Sequence, residues 1–286
     1  MLTDRIRAML EACDDGKSPF PPTVLFNENW LLRLVLDWFA TNPDAADFPS
    51  PLVPAPGASW YSEALLPSAF LPRYKGDRLS ESRTHADGVV GHLEVGRRGA
   101  TDLSLRTDAS QFAVVEAKVF GKLSPGVKNA PFFDQAARSV ACIAELLRKA
   151  DRPPEEMTHL GFALVAPRSR IDEGLFEPDL APRSLRRKVQ ARIEPYAGAL
   201  DPWFVSWFEP TLRNLEIRQF SWEDLIEEIA FADMASGQLL DSFYGRCLKY
   251  NRPQRNAAPE RQTLPAWACP MPGQRPMGGN RRGVVG

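Results

Sequence analysis

The sequence has few of the residues that build disulfide frameworks or zinc sites. Its 286 residues include four cysteines and three histidines, and no two cysteines form a C-x-x-C pair. A disulfide scaffold and a zinc knuckle both need closely spaced ligands, so this scatter argues against either. We therefore expect the thiols to be reduced and structural. The cysteines are Cys13, Cys142, Cys247 and Cys269.

Long apolar runs are also missing. Hydrophobic residues make up 44% of the chain and charged residues 25%, which is ordinary for globular proteins. No stretch approaches the roughly 18 consecutive apolar residues that a membrane-spanning helix needs, and the first residues lack the apolar segment of a secretory signal. We expect a globular protein that stays in the cytoplasm and has no membrane anchor. A Gly-rich phosphate loop is absent as well, which argues against a nucleotide-driven motor.

The formal net charge of -1 argues at first against a nucleic-acid partner, because phosphate binding usually leaves a basic surface. The charges are unevenly distributed, however. From Arg252 to the end of the sequence there are six arginines and a single acid, Glu260, and further basic clusters occur at 97–98 and 183–192. Nucleic acid therefore remains a candidate partner.

The length and the composition shifts predict one main domain with two flanking segments. Residues 1–58 are expected to form an N-terminal helical segment packed on the core, and residues 59–250 the main domain. Residues 251–286 are rich in Pro, Gly, Gln and Arg and have no apolar periodicity. We expect them to form a disordered basic tail.

Apolar periodicity and turn residues predict the order of helices and strands. An amphipathic helix with Asn27 as its N-cap is followed by a proline-rich loop and a short helical piece. A three-stranded antiparallel meander comes next, then a helix and a buried strand, and finally a basic helix, a last strand and a helix capped near Ser221. The expected ranges are 27–40, 59–66, 84–95, 101–105, 112–119, 132–150, 159–166, 184–197, 215–220 and 225–234.

Two charged residues stand out on the third strand of the meander, Phe112 to Val119. Glu116 and Lys118 are two positions apart, so both side chains emerge on the same face of the strand. Burying a charge is costly, and even a pair needs further partners, so the arrangement calls for an explanation. The ordinary explanation is an ion pair at the exposed end of a strand, since Glu-x-Lys is frequent by chance.

The surrounding elements favour a catalytic explanation. A meander whose last strand carries Glu-x-Lys, followed by a helix and another apolar strand, resembles the PD-(D/E)XK nuclease superfamily from about Glu63 to Ala166. The resemblance implies an α/β fold with a restriction-endonuclease-like core, in which helices flank a mixed sheet containing an antiparallel meander. The wider chain also resembles bacterial proteins that carry this core.

The resemblance also implies roles for individual residues. Glu116 and an aspartate would bind a divalent metal, Mg2+ or Mn2+, and Lys118 would align or deprotonate the attacking water. Gln135, in the helix that follows, matches the family's glutamine. The glutamate that the family places before the meander would be Glu63, with Glu28 as the other option.

The sequence leaves two candidates for the aspartate. Asp102 lies on the second strand of the predicted meander, 14 residues before Glu116, at a spacing that suits a hairpin. Asp87, in Ala86-Asp87-Gly88, resembles the family's Pro-Asp-Gly motif with alanine in place of proline. If Leu105 pairs with Phe112, Asp102 lies opposite Val115, so a bulge would be needed to bring its carboxylate to Glu116. Each aspartate also has an ordinary explanation as a turn or strand-edge residue.

These residues together predict a nuclease that hydrolyses phosphodiester bonds, with DNA as the expected substrate. Carboxylate-bound magnesium would neutralise phosphate charge and supply hydroxide near neutral pH. The sequence leaves two alternatives open. The first is an inactive nuclease-fold module that binds nucleic acid or a protein partner, and the second is another α/β enzyme in which Glu-x-Lys is coincidental.

Overall fold

The structure is a computed structural model, and it describes residues 2–17, 19–44, 51–96, 102–126 and 129–252. All of these lie within one structural unit, residues 1–252. The predicted tail lies outside the described residues, apart from Asn251 and Arg252. Among the helices of the described part of the chain, none is long and apolar enough to cross a membrane.

A five-stranded mixed sheet forms the centre of the protein. Its strands are β1 (Ser59–Leu66), β2 (Thr84–Gly91), β5 (Gln111–Ala117), β6 (His159–Ala166) and β7 (Glu216–Ser221), in the spatial order β1-β2-β5-β6-β7. Strand β2 is antiparallel to both of its neighbours, β1 and β5, whereas β5, β6 and β7 run parallel to one another. Two short strands, β3 (Leu93–Val95) and β4 (Leu103–Leu105), pair with each other in a separate two-stranded sheet.

Helices cover both faces of the sheet. Helix α3 (Gln135–Ala150) connects β5 to β6 and packs on one face, together with α6 (Pro182–Ile193) and the segment around Trp203. The other face is covered by α2 (Glu28–Thr41), α9 (Trp222–Ala232) and α10 (Met234–Tyr250). The remaining bounds are α1 (Leu2–Asp14), α4 (Arg168–Asp172), α5 (Glu177–Leu180), α7 (Asp201–Trp203) and α8 (Glu209–Asn214).

The two faces of β5 belong to two separate hydrophobic cores. Phe112 and Val114 pack in the core on the α3 face, and Val115 and Ala117 pack in the core on the α2 face. The side chains therefore alternate between faces along the strand, as the period of two requires. Every residue of β5 is buried, so its one carboxylate, Glu116, lies deep inside the protein.

The helix and strand predictions made from periodicity are largely confirmed. Asn27 caps α2 by accepting a hydrogen bond from Trp30 N at 3.0 Å, and Ser221 caps α9 by accepting from Asp224 N at 2.9 Å. The buried strand was placed correctly at 159–166. The helix expected over 132–150 begins at Gln135, because Asp134 is its N-cap and accepts from Ala137 N at 3.0 Å.

The predicted meander contained the wrong set of strands. The segment 59–66, expected to be helical, is an edge strand. Its pairing with β2 is a long-range contact that its own sequence does not reveal. The chain leaves the sheet after Gly91 and returns at Gln111, where His92 N donates to Gln111 O at 3.1 Å. Strands β3 and β4, which lie between these two residues in the sequence, pair with each other outside the five-stranded sheet. The antiparallel half of the sheet is therefore β1-β2-β5.

Candidate active site

Glu116 is the centre of a buried polar cluster on the α3 face. Its side chain is 0% exposed, and protein donors reach both carboxylate oxygens. Gln135 Nε2 donates to Oε2 at 2.5 Å, and Ser139 Oγ donates to Oε1 at 3.0 Å. Because a buried charge needs such partners, the cluster explains how an apolar strand tolerates a glutamate.

Asp87 approaches Glu116 from the neighbouring strand. The ladder between β2 and β5 ends with Gly88 opposite Val115, so the next position in the same register brings Asp87 opposite Glu116. Asp87 Oδ2 accepts a hydrogen bond from Ala117 N at 2.9 Å. Its carboxyl group therefore occupies the place where a backbone carbonyl of β2 would otherwise pair with β5, and it lies at the edge of the cluster.

Lys118 bridges the two acids. Its Nζ lies 3.3 Å from Asp87 Oδ2 and 3.7 Å from Glu116 Oε2. The Lys118 side chain is 11% exposed and that of Asp87 is 20% exposed. Access from solvent is therefore through Lys118 and Asp87, with Glu116 behind them.

Helix α3 supplies the remaining contacts. Gln135 and Ser139 are four residues apart, so they lie on the same side of the helix one turn apart. Gln135 also accepts a hydrogen bond from Ser124 N at 3.1 Å and donates its backbone N–H to Ser124 O at 2.9 Å, which fixes the start of the helix against the loop. The sequence reasoning missed Ser139. A polar residue four positions after Gln135, on an otherwise apolar helix face, was the signal that could have identified it.

The electrostatics follow from burial and from the second acid. Burial raises the pKa of Glu116 well above its usual range, and the Asp87 carboxylate raises it further. Lys118 and the hydrogen bond from Ser139 act in the opposite direction. Two carboxylates face one ammonium, so the ionised cluster has an excess of negative charge that a proton or a cation can neutralise.

Asp102 is far from this cluster, which corrects one of the two aspartate hypotheses. It precedes β4 and forms an isolated bridge with Leu65 on β1, and β2 separates β1 from β5 in the sheet. The expectation assumed that the strand containing Asp102 pairs with β5. In the structure β4 pairs with β3, so no bulge could bring Asp102 to Glu116.

Glu63 lies near the cluster along the sheet but turns away from it. The register of β1 and β2 places it across from Asp87, between the pairs Ser62–Gly88 and Ala64–Ala86. Its Oε1 accepts from Asn29 Nδ2 at 2.6 Å and lies 3.6 Å from Arg33 of α2. The carboxylate is therefore held on the α2 side of the sheet, which corrects the expectation that it completes the site.

The backbone of Glu63 is unusual. Its φ of 54° lies in the left-handed region, which costs a non-glycine residue roughly 1–2 kcal/mol. The other early glutamate, Glu28, is on α2 and acts electrostatically on Cys247 of α10. Neither glutamate contributes its carboxylate to the cluster around Glu116.

The donor set suits a hard divalent cation. Within the described residues, no group of three or more Asp, Glu, His or Cys side chains is arranged to hold a metal. Mg2+ does not require such a group, because it keeps several waters and is usually held by one or two carboxylates together with substrate phosphates. Asp87 and Glu116 supply two such carboxylates on adjacent strands.

Comparison of the chain with models of known protein families, with curated proteins and with solved structures gives no match.

Proposed function

We propose that this protein is a metal-dependent nuclease that hydrolyses phosphodiester bonds in DNA, with Mg2+ or Mn2+ held by Asp87 and Glu116. The observation that carries the proposal is the arrangement of Asp87, Glu116 and Lys118. Two carboxylates on adjacent strands meet across one ammonium at the edge of a buried cluster. A purely structural ion pair would not need the second carboxylate.

The order of elements supports the same proposal. Helix α2 is followed by three antiparallel strands, then by α3 and by the parallel strand β6. Apart from the inserted pair β3-β4, these elements match the α-β-β-β-α-β order of the PD-(D/E)XK fold, with Ala86-Asp87-Gly88 on the second strand, Glu116 on the third and Lys118 directly after it. The assignment to that superfamily is part of the proposal.

Each residue of the cluster has a distinct task in the proposed reaction. Asp87 and Glu116 would hold the metal ion, which when bound lowers the pKa of its water and offsets phosphate charge. Lys118 lies at the exposed side of the cluster, where its ammonium can orient the attacking water and stabilise charge that develops on the phosphate. Gln135 and Ser139 fix the Glu116 carboxylate, and such supporting hydrogen bonds are needed for metal ligands to keep their orientation.

Positive charge near the cluster favours a phosphate-containing substrate. Strands β5 and β6 are parallel, so their carboxyl ends share one edge of the sheet. Lys122 follows β5 and is exposed. Arg170 of α4 donates to Phe120 O at 3.0 Å, and Glu173, 3.3 Å away, partly offsets its charge. Lys122 would therefore contribute most to attracting a polyanion toward Lys118.

The direct test measures cleavage by the purified full-length chain of linear, circular and single-stranded DNA and of RNA. We expect cleavage of DNA with Mg2+ or Mn2+ and none with a chelator. Lys118→Ala should lower the rate while leaving the metal-induced rise in unfolding temperature intact, because Lys118 acts on water and phosphate and not on the ion.

The alternative is a nuclease-fold module that binds nucleic acid or a protein partner without cutting. It would be favoured if the wild-type protein retained DNA in a binding assay but cut none of the four substrates with either metal. The complete set of Asp87, Glu116, Lys118 and Gln135 favours activity, since a site that has lost its function need not keep every member.

A further inference from the structure

The side chains of β1 and β2 change faces at one point along the sheet. On β2, Thr84 contacts Arg138 and Cys142 of α3, and Ala86 packs in the core on the α3 face. Gly88 is directed toward α2, because a Cβ built there would lie 3.0 Å from atoms of Leu32 and Leu36. A regular strand would keep Thr84, Ala86 and Gly88 on one face.

The change on β2 occurs between Ala86 and Asp87. Ala86 packs in the α3-side core. Asp87 faces α3 as well, because its carboxylate reaches Lys118 and because Val89, two residues further along, packs in the same core. If the strand were regular and Ala86 kept its place in that core, Asp87 would point toward α2. Its carboxylate would then lie on the opposite side of the sheet from Glu116.

Strand β1 changes faces at the position across from Asp87. Tyr61 and Ala64 both pack against the α3-side core. In a regular strand, two residues three positions apart point to opposite faces. Between them, Ser62 accepts from Arg33 Nε at 2.8 Å, and Glu63 contacts Asn29 and Arg33, so both face α2. The change coincides with the left-handed backbone of Glu63.

We propose that Glu63 is a positioning residue, whose left-handed backbone turns the paired strands so that Asp87 reaches the face of Glu116. The hydrogen bond from Asn29 and the ion pair with Arg33 keep the Glu63 side chain on α2 and hold the backbone in this conformation. The task of Glu63 is thus conformational, and its carboxylate does not contact the reacting groups. The cleavage measurement that tests this proposal rests on the proposed nuclease function, whereas the unfolding measurement does not.

The distinguishing experiment varies the conformational preference at residue 63. Glycine and asparagine adopt the left-handed region readily, whereas a β-branched residue does not. We expect Glu63→Gly and Glu63→Asn to keep most of the cleavage rate. Glu63→Thr should lower kcat on the order of 100-fold, the loss typical of a misplaced catalytic group, with little change in KM. Ser62→Thr is the matched control, since it adds a β-branched residue one position away and keeps the hydroxyl group.

A second readout is independent of cleavage. A double-mutant cycle with Asp87→Asn and Lys118→Met, followed by thermal unfolding in chelator, measures the coupling between these side chains. The coupling should be present in the wild type and in Glu63→Gly and be lost in Glu63→Thr. If Glu63→Thr does not fold, Glu63→Gly is compared with Glu63→Ala, because both lack the carboxylate and alanine is the less suited to the left-handed region.

Two results would overturn the proposal. Loss of the Asp87–Lys118 coupling in Glu63→Gly would show that the carboxylate is needed, and intact coupling in Glu63→Thr or in Glu63→Ala would show that the conformation is not. If the wild-type protein cuts no nucleic acid, the nuclease proposal fails while the coupling experiment still decides the role of Glu63.

Discussion

Two glutamates, Glu116 and Glu81, are buried in this protein in similar ways but with different neighbours. Both accept a hydrogen bond from a serine, Ser139 Oγ at 3.0 Å for Glu116 and Ser68 Oγ at 2.7 Å for Glu81. Burial raises the pKa of each. Glu81, however, is flanked by the guanidinium groups of Arg192 and Arg138.

The groups around the two glutamates differ in the sign of their net charge when all members are ionised. Around Glu81, two cations face one carboxylate, so the ionised glutamate is already compensated within the protein. Around Glu116, a second carboxylate shares a single ammonium, and compensation has to come from a proton or from a bound cation. A buried glutamate is therefore not by itself a sign of catalysis. The excess negative charge at the solvent-accessible edge of the cluster distinguishes Glu116.

The largest expected effect separates the two glutamates directly. Glu116→Gln should lower cleavage on the order of a thousandfold, because a bound metal contributes several kcal/mol to the transition state. It should also abolish the rise in unfolding temperature on adding Mg2+, which we expect to be on the order of 5–10 °C at 100 times the Kd in the wild type. Glu81→Gln should leave both measurements unchanged. Equal losses in the two variants would show that the comparison has no functional meaning.

The second effect concerns the aspartates. Asp87→Asn should lower cleavage by about 100-fold or more, since its carboxylate would hold the ion together with Glu116. Asp102→Asn should stay within roughly threefold of the wild type, because it lies beyond β1, away from the cluster. Steady-state cleavage at saturating Mg2+ measures both variants. A severe defect in Asp102→Asn together with a mild one in Asp87→Asn would reverse our assignment.

A smaller effect is expected from the two serines. Ser139→Ala removes a hydrogen bond that orients Glu116, and such changes typically weaken metal affinity 10–100-fold. Titration of the unfolding temperature with Mg2+ would detect this weakening. Ser68→Ala removes the corresponding bond to Glu81 and should not change the Mg2+ titration, although it can lower stability. A change of the Mg2+ titration in both serine variants would contradict the assignment.

The smallest effect is on stability as a function of pH without metal. The folded-state pKa of Glu116 is raised, so protonation of Glu116 favours the folded state. This contribution to stability is fully present below pH 4.5, the ordinary pKa of the group. This stabilisation is lost as the pH rises through the folded-state pKa. In chelator, Glu116→Gln should therefore be more stable than the wild type at neutral pH, with the advantage shrinking toward pH 4. Urea unfolding at several pH values measures the difference, and a variant less stable at neutral pH would contradict the burial argument.

Much of the chain was predictable because the relevant signals are local. The helix capped by Asn27 and the strand 159–166 follow from apolar spacing and capping residues within a single segment. The common face of Glu116 and Lys118 follows from the period of two along one strand. Gln135 was identified from the family resemblance, which implies a glutamine near the start of the helix that follows the Glu-x-Lys strand.

Strand membership was not predictable from such signals. Residues 59–66 contain Trp60, Tyr61 and Leu65, which suit a helix or a strand, and the long-range pairing with β2 decides between them. Strands β3 and β4 have strand-like composition, yet they pair with each other outside the main sheet. Pairing over such distances depends on contacts that no short window of sequence contains.

The sequence alone therefore determined that a carboxylate and an ammonium emerge together from a buried strand, because alternation is a property of one segment. The tertiary structure decided that Asp87 and not Asp102 is their partner, because β2 and not β4 lies beside β5. It also determined the backbone conformation of Glu63 and the side of the sheet on which its carboxylate lies. A left-handed backbone at a residue other than glycine has no reliable local signal, since it persists only where contacts such as those with Asn29 and Arg33 hold it.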